Sequence, residues 1–300
     1  MYFQRLWEFI QYAENKNIIV IITVQDGWTK TRFEHHPFNT ALGNGPLTDR
    51  RQLVELGDYD TEMPDVYNSQ WTRRQKNQYF QECFAEALCS ELKDCSNVIF
   101  EIFNEGEWYN KEDRRRHETH FLRFFRKRTK ALLMTNTDHI RNAGYAPREN
   151  PTVDILSFHK KPWIGHYTTF VKEFRTEPAR VIFASEPVPS SGLGQSSNES
   201  EVTPDILRSA VWERTLSGSG WVAQNDTSFG WAAKCGMAKH VMLRDAAYDL
   251  IGHASRFFNE SDVRFWEMAP HGELASAGIC LAQPGVEYVV YAPTGGIFYR

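Results

Sequence analysis

Short apolar runs alternate with amphipathic segments along most of the chain. NIIVIITV (17–24), NVIFEIF (97–103), ALLMT (131–135), VDILSF (153–158), RVIFA (180–184) and GWVA (220–223) are apolar nearly throughout. Runs of this length and content predict strands buried on both faces, as in a parallel sheet. Between them the spacing predicts helices near 71–93, 111–128, 167–175 and 204–216, with another near 246–258 after the last run. The chain opens on a further helical stripe, Phe3, Leu6, Trp7, Ile10 and Ala13. The helix at 204 has clear bounds: Thr203 to cap it, Pro204 in its first turn, Asp205 at its positive end and Gly218 beyond it.

Six strand–helix repeats with right-handed crossovers imply an α/β fold around a parallel sheet. A doubly wound nucleotide-binding sheet would carry a Gly-rich phosphate loop after its first strand, and QDGW (25–28) is no such loop. Two long stretches, 25–70 and 187–203, are rich in Pro, Gly, Asn and Ser, and both come after strand ends. In a barrel that face carries the active site. After about Ser261 the pattern changes to short antiparallel strands at 278–282, 287–291 and 296–299, with Pro284-Gly285 as a turn. The expected organisation is a partial (β/α) barrel over 1–260 and the beginning of an antiparallel β-sandwich over 261–300. The opening helix and the last strands read as cuts in a larger fold. Such a chain is expected to leave apolar faces uncovered and to aggregate when expressed alone.

Composition is that of an ordinary globular protein, with 41% apolar and 24% charged residues. A net charge of −4 points away from a polyanion partner such as nucleic acid. The basic cluster Arg114-Arg115-Arg116, Arg123, Arg126, Lys127, Arg128 and Lys130 alternates with apolar residues and reads as the solvated face of a helix. No apolar run is long enough to span a membrane. Cys83, Cys89 and Cys95 are six apart, off any one helical face, and no CxxC pair occurs, so a zinc site is not expected. With Cys235 and Cys280 they read mostly as buried thiols, one disulfide being left open. HETH (117–120) lacks the HExxH spacing of a zinc protease, and Ser185 has no GxSxG elbow around it.

The chemistry concentrates at two strand ends. In FEIFNEGEW (100–108) a buried strand runs straight into Asn104-Glu105, and in VIFASEPVP (181–189) Glu186 stands in the same relation to a later strand. Cleavage of a glycosidic bond needs two carboxyl groups, one to protonate the departing oxygen and one to attack the anomeric carbon or activate water. Glu101, inside the strand, and Glu107, just past the acid, are rivals. Trp28, Trp108, Trp163, Trp221 and Trp231 lie near strand ends and offer flat faces for sugar rings, although each is equally placed for packing. His35 and His36 in the first long loop read more readily as exposed loop residues than as substrate contacts.

This constellation resembles clan A glycoside hydrolases, among them family 5 cellulases and apiosidase-like hydrolases. There an Asn-Glu pair ends strand four and a Glu ends strand seven, and ALLMT and VDILSF supply the two strands between. The resemblance covers roughly 1–260. It makes NIIVIITV strand three, so strands one and two are missing. His159 then takes a strand-six position where the family often keeps a substrate-contacting residue, and Trp221 or Trp231 falls near strand eight, where an aromatic often floors the sugar site. Asn104-Glu105 looks more like family 5, and Glu186-Pro187 more like the apiosidase-like group. The resemblance implies a retaining, cellulase-like hydrolase active in polysaccharide degradation, with Glu105 as acid/base, Glu186 as nucleophile and Asn104 on the sugar 2-hydroxyl. The two carboxyl groups would lie ~5–5.5 Å apart. It implies a carbohydrate substrate, no cofactor, no metal, no nucleic acid or membrane partner, and a secreted or periplasmic location. A carbohydrate-binding barrel without turnover, and a barrel using the carboxylates for proton abstraction or metal binding, stand as alternatives.

Overall fold

The computed structural model describes residues 1–27, 33–42, 45–57, 71–104, 106, 109–136, 150–158, 171, 180–189, 204–224, 241–275 and 278–293. Six strands form one sheet: β1 (Val20–Thr23), β2 (Val98–Glu101), β3 (Leu132–Asn136), β4 (Ile155–Phe158), β5 (Val181–Pro189) and β6 (Gly220–Gln224). Their order in the sheet is their order in the chain, β1-β2-β3-β4-β5-β6, and the β1–β2, β2–β3 and β5–β6 ladders are parallel. A doubly wound sheet reverses its strand order at a switch point, whereas a barrel wall adds each strand beside the last. The expected fold class therefore holds: a partial barrel of six parallel strands, with a small antiparallel sheet after it. Five α-helices are described, α1 (Tyr2–Glu14), α2 (Arg73–Glu91), α3 (Lys111–Arg126), α4 (Pro204–Leu216) and α5 (Val241–Glu260). The helix expected near 167–175 falls outside the described residues apart from Val171.

Packing divides the chain into two compact units, Met1–Leu156 and Ser157–Arg300. In the first, Val98, Phe100 and Ile102 alternate onto the face that meets α2 and α3, where Ala85, Leu88, Phe121 and Phe125 close around them. The rings of Phe100 and Phe125 sit 5.0 Å apart. From α1, Ile10 and Ala13 are buried, and Phe3 and Leu6 pack against the same core. Trp7 is 45% exposed, so the buried stripe of that helix is narrower than its sequence suggests.

Local signals fix the helix starts. Thr72 and Gln75 form a reciprocal capping box at α2. At α3 the Asn110 side-chain oxygen accepts from the backbone N–H groups of Glu112 and Asp113, at 2.9 and 3.2 Å. Asn110→Ala is expected to lower stability by about 1 kcal/mol, measured by urea denaturation. Past α3, Arg126 donates to the Thr152 carbonyl at 3.1 Å and pairs with Asp154. Asp154 in turn accepts from the Leu133 N–H at 2.8 Å, which ties the entry to β4 against β3.

In the second unit β7 (Ala269–Pro270), β8 (Ile279–Gln283) and β9 (Glu287–Tyr291) form an antiparallel sheet in the order β7-β8-β9. The Pro284-Gly285 turn joins β8 to β9, and Gly285 has φ +81°, a conformation that costs glycine no Cβ clash. The third member of this sheet is β7, which the alternation pattern does not predict because it is two residues long. The strand expected at 296–299 lies outside the described residues. Leu281 and Val289 share a core with Leu216 and Trp212 of α4 and Phe258 of α5. Trp212 stacks on Tyr291, with centroids 5.8 Å apart and planes at 12°. Cys83, Cys89, Cys95 and Cys280 are free thiols; Cys83 is exposed rather than buried, and Cys235 is not among the described residues. No described helix is long and apolar enough to cross a membrane.

Candidate active site

In the first unit the ends of β1 and β2 build a small polar cluster. Past its last ladder residue, β2 continues to Asn104, whose N–H donates to the Gln25 carbonyl at 2.9 Å and whose carbonyl accepts from Gly27 N–H at 2.7 Å. This parallel bridge sets Asp26 beside Asn104, and the Asn104 amide donates to the Asp26 carboxylate at 3.1 Å. With its NH₂ so engaged, the Asn104 side-chain oxygen is buried without a hydrogen-bond partner among the described residues. A buried acceptor left open is costly unless a ligand fills it.

Gly106, two residues after Asn104, is held close to α3. A Cβ at Gly106 would stand 2.5 Å from the Arg114 Nε and 2.6 Å from the Phe103 ring, so only glycine lets the backbone lie there. The Arg114 Nε donates to Glu118 at 2.5 Å, and Arg114 also donates to the Asn136 carbonyl at the end of β3 at 2.7 Å. Glu118 is fully buried and accepts from Thr135 at 3.0 Å. Burial pushes the Glu118 carboxyl above the ordinary range, with Arg114 and Thr135 opposing.

Below the strand ends runs a buried chain of polar side chains. Glu101 is buried on the sheet face turned away from Phe100 and accepts from Thr23 at 2.6 Å. Gln25 donates to Gln81 at 2.5 Å, and the same Gln81 oxygen lies 2.7 Å from the His117 Nε2. An amide oxygen only accepts, so the Nε2 carries the proton and Nδ1 is bare. That Nδ1 is buried with no partner among the described residues, and a second proton there would have no acceptor. Burial accordingly drives His117 down to about 3, with His120 adding to the effect. His36 sits against Phe33 and Phe38, and its Nδ1 accepts from the Phe38 N–H at 3.1 Å. Burial lowers its pKa too, against the pull of the Asp26 carboxylate.

These histidines make a pH prediction. An imidazole whose pKa falls on folding is protonated first in the unfolded chain. Its contribution is complete above about pH 6.5 and is lost as pH falls toward the folded value of about 3. Wild-type stability in urea is expected to drop by about 2 kcal/mol from pH 7 to pH 5, and His117→Gln to remove most of that dependence. An identical pH profile in the variant would show that His117 is not the group responsible.

In the second unit the Ser185 hydroxyl lies 2.8 Å from that of Ser157 on β4, and it donates to the Phe158 carbonyl at 3.4 Å. Immediately beyond, the β5–β6 ladder shifts register: Ala184 pairs with Trp221, but Val188 pairs with Ala223. The four-residue step on β5 against two on β6 makes a bulge, and the Glu186 backbone lies within it. Bulges recur beside active sites because the extra residues re-aim the neighbouring side chains. Trp221, the second residue of β6, enters at the amino end of its strand rather than the expected carboxyl end. Its indole N–H donates to Thr215 at 3.3 Å, and it lines a cavity of about 980 Å³ together with Val181, Phe258 and Trp266.

Of the residues read from sequence, Asn104 and Trp221 are described with their side chains and Glu186 by its backbone. Glu105, His159, Trp28, Trp108, Trp163 and Trp231 lie outside the described residues, as does the rival Glu107. Asp26 beside Asn104, and Gln81 bonded to Gln25, are not singled out as site residues by any pattern in the sequence, and Arg114 beside Gly106 reads there only as part of a basic cluster.

No family model matches the chain, and no curated protein does. Solved structures do match. A glycoside hydrolase family 5 structure from Bacteroides vulgatus aligns with a TM-score of 0.53 at 12% identity, over 69% of this chain and 53% of that one. The chain therefore spans about half the length of that protein. A second structure, described as a glycoside hydrolase, aligns with a TM-score of 0.52 at 12% identity, over 93% of this chain and 73% of its own. The chain is thus similar in fold to glycoside hydrolase barrels of clan A.

Proposed function

We propose that the chain carries the catalytic pair of a retaining glycoside hydrolase, with Glu105 as acid/base and Glu186 as nucleophile. One observation carries the reading. In a singly wound set of barrel strands, Asn104-Glu105 comes directly after β2, and Glu186 falls in a bulge of β5, three strands on. That is the strand-four and strand-seven pattern of the hydrolases whose fold the chain shares.

On this reading the ionised Glu186 attacks the anomeric carbon while Glu105 gives its proton to the departing oxygen. A covalent glycosyl-enzyme forms, and water then displaces Glu186 as Glu105 takes up the water's proton. The side-chain oxygen of Asn104, open among the described residues, accepts from the 2-hydroxyl of the sugar under attack, while one N–H of its amide is held by Asp26. His159, Trp28, Trp108, Trp163 and Trp231 supply contacts and stacking faces along a poly- or oligosaccharide. The natural protein acts outside the cytoplasm, where such substrates are met.

A panel of chromogenic glycosides, run beside affinity electrophoresis in soluble polysaccharide gels, tests this. Release of the chromophore from at least one glycoside is expected. Retardation in a gel without hydrolysis of any glycoside would replace the enzyme with a binding protein.

A further inference from the structure

On the side of α3 turned away from the core, α2 and α3 leave a groove of about 580 Å³. Its volume is that of a small-molecule site. Its charge is one-sided: Arg115, Arg116, Arg123, Lys127 and Arg128 line it, and Glu82 is the single carboxylate among its lining residues. Glu82 is already held by the His120 Nε2 at 2.6 Å. Arg115 pairs with Glu112, and Arg128 with Glu86. Arg116, Arg123 and Lys127 are exposed and have no ion pair among the described residues.

Those three cations are seven and four residues apart, and Lys127, the C-cap of α3, keeps a helical backbone, so they fall on one stripe, about 10 Å and about 6 Å along the axis. Like charges so spaced repel and weaken a helix, and a bound anion would reverse the sign of that interaction. The net charge of −4 is a whole-chain sum and conceals this local field. Aromatic stacking would be needed to hold single-stranded nucleic acid. The Phe124 ring in the groove is instead covered by the Arg128 guanidinium, 3.5 Å from its centroid. The chemistry favours a compact polyanion over a nucleic acid strand.

We propose that this groove binds a small ligand bearing two or three phosphate or sulfate groups, through Arg116, Arg123 and Lys127, with the Thr119 hydroxyl as an added donor. The source is either a free polyphosphate or a sulfated sugar segment. The site is independent of the carboxylate pair and stands or falls without it.

Calorimetric titration of the chain with inorganic tripolyphosphate, sucrose octasulfate and plain sucrose tests the proposal. Saturable binding of one or both anions is expected, weakening steeply with added salt, and none of sucrose. Tripolyphosphate alone would identify a free phosphate ligand, and octasulfate alone a sulfated sugar. Arg116→Gln/Arg123→Gln/Lys127→Gln is expected to weaken binding by about tenfold or more, and Arg123→Gln alone by about threefold, with unchanged circular dichroism. No saturable binding of either anion would overturn the site. So would equal affinity in both variants, or tighter binding of a single-stranded oligonucleotide through the same three residues.

Discussion

Glu186→Ala is expected to lower sugar release about 10³-fold or more, and Glu105→Ala by about 10²–10⁴-fold, the usual contribution of a general acid. The losses have different causes and separate by substrate. Without Glu186 no glycosyl-enzyme can form, whatever the leaving group. Without Glu105 the departing oxygen must leave unprotonated, which an alkyl alcohol does badly and a nitrophenol does readily. Glu105→Ala is therefore expected to keep a first turnover on nitrophenyl glycosides, seen as a burst of chromophore, and then to stall because no base activates the water. Glu186→Ala is expected to show no burst on either substrate. An equal loss on nitrophenyl and alkyl glycosides would remove Glu105 from the acid role, and full activity in both variants would remove the pair.

Arg114→Ala is expected to destabilise the chain by about 3–5 kcal/mol, the range for stripping one partner from a buried ion pair. The Arg114 side chain is 13% exposed and that of Glu118 is 0% exposed, so among the described residues the orphaned carboxylate would keep only Thr135 as a donor. The variant also takes the Arg114 donor from the Asn136 carbonyl and removes the guanidinium beside Gly106. Arg114→Met/Glu118→Leu replaces both charges with apolar groups and is expected to be less damaging than the single change. Urea denaturation of the three proteins decides this. A double variant less stable than Arg114→Ala would mean that the contacts to Asn136 and Gly106, rather than the unpaired charge, carry the effect.

The barrel strands were legible because they are mostly apolar runs, although β1 is only part-buried and Glu101, Thr135, Asn136 and Ser157 are buried polar residues in the others, and helices between them leave a different period. β1 to β4 and β6 fall inside or within a residue of the runs that announce them. The run at 180–184 stops short of β5, which continues to Pro189. Pro187 and Pro189 lack the N–H that a regular ladder uses, so they read as a strand end; Pro187 falls within the bulge, and Pro189 pairs with Gln224 beyond it. Trp221 shows the opposite limit: its type marks it as a sugar platform, but as the second residue of β6 it stands at the amino end of the strand.

The polar neighbours of the site were less legible. Gln25, Gln81 and His117 are buried together although 56 and 36 residues separate the bonded pairs. A glutamine or histidine on a helix reads as solvated until its partner is known. Asp26 likewise gains its meaning from the bridge to Asn104, 78 residues away. Arg116, Arg123 and Lys127, without an ion pair among the described residues, were visible as part of a run, but only the groove beside α2 distinguishes them from a solvated face.

Covalent trapping reads the nucleophile directly. The chain is incubated with the 2-deoxy-2-fluoro glycosyl fluoride of whichever sugar the glycoside panel releases, digested, and mapped by peptide mass. One sugar per chain is predicted on the peptide containing Glu186, and none in Glu186→Ala. A label on a different carboxylate, or no label together with product of inverted anomeric configuration, would contradict the account.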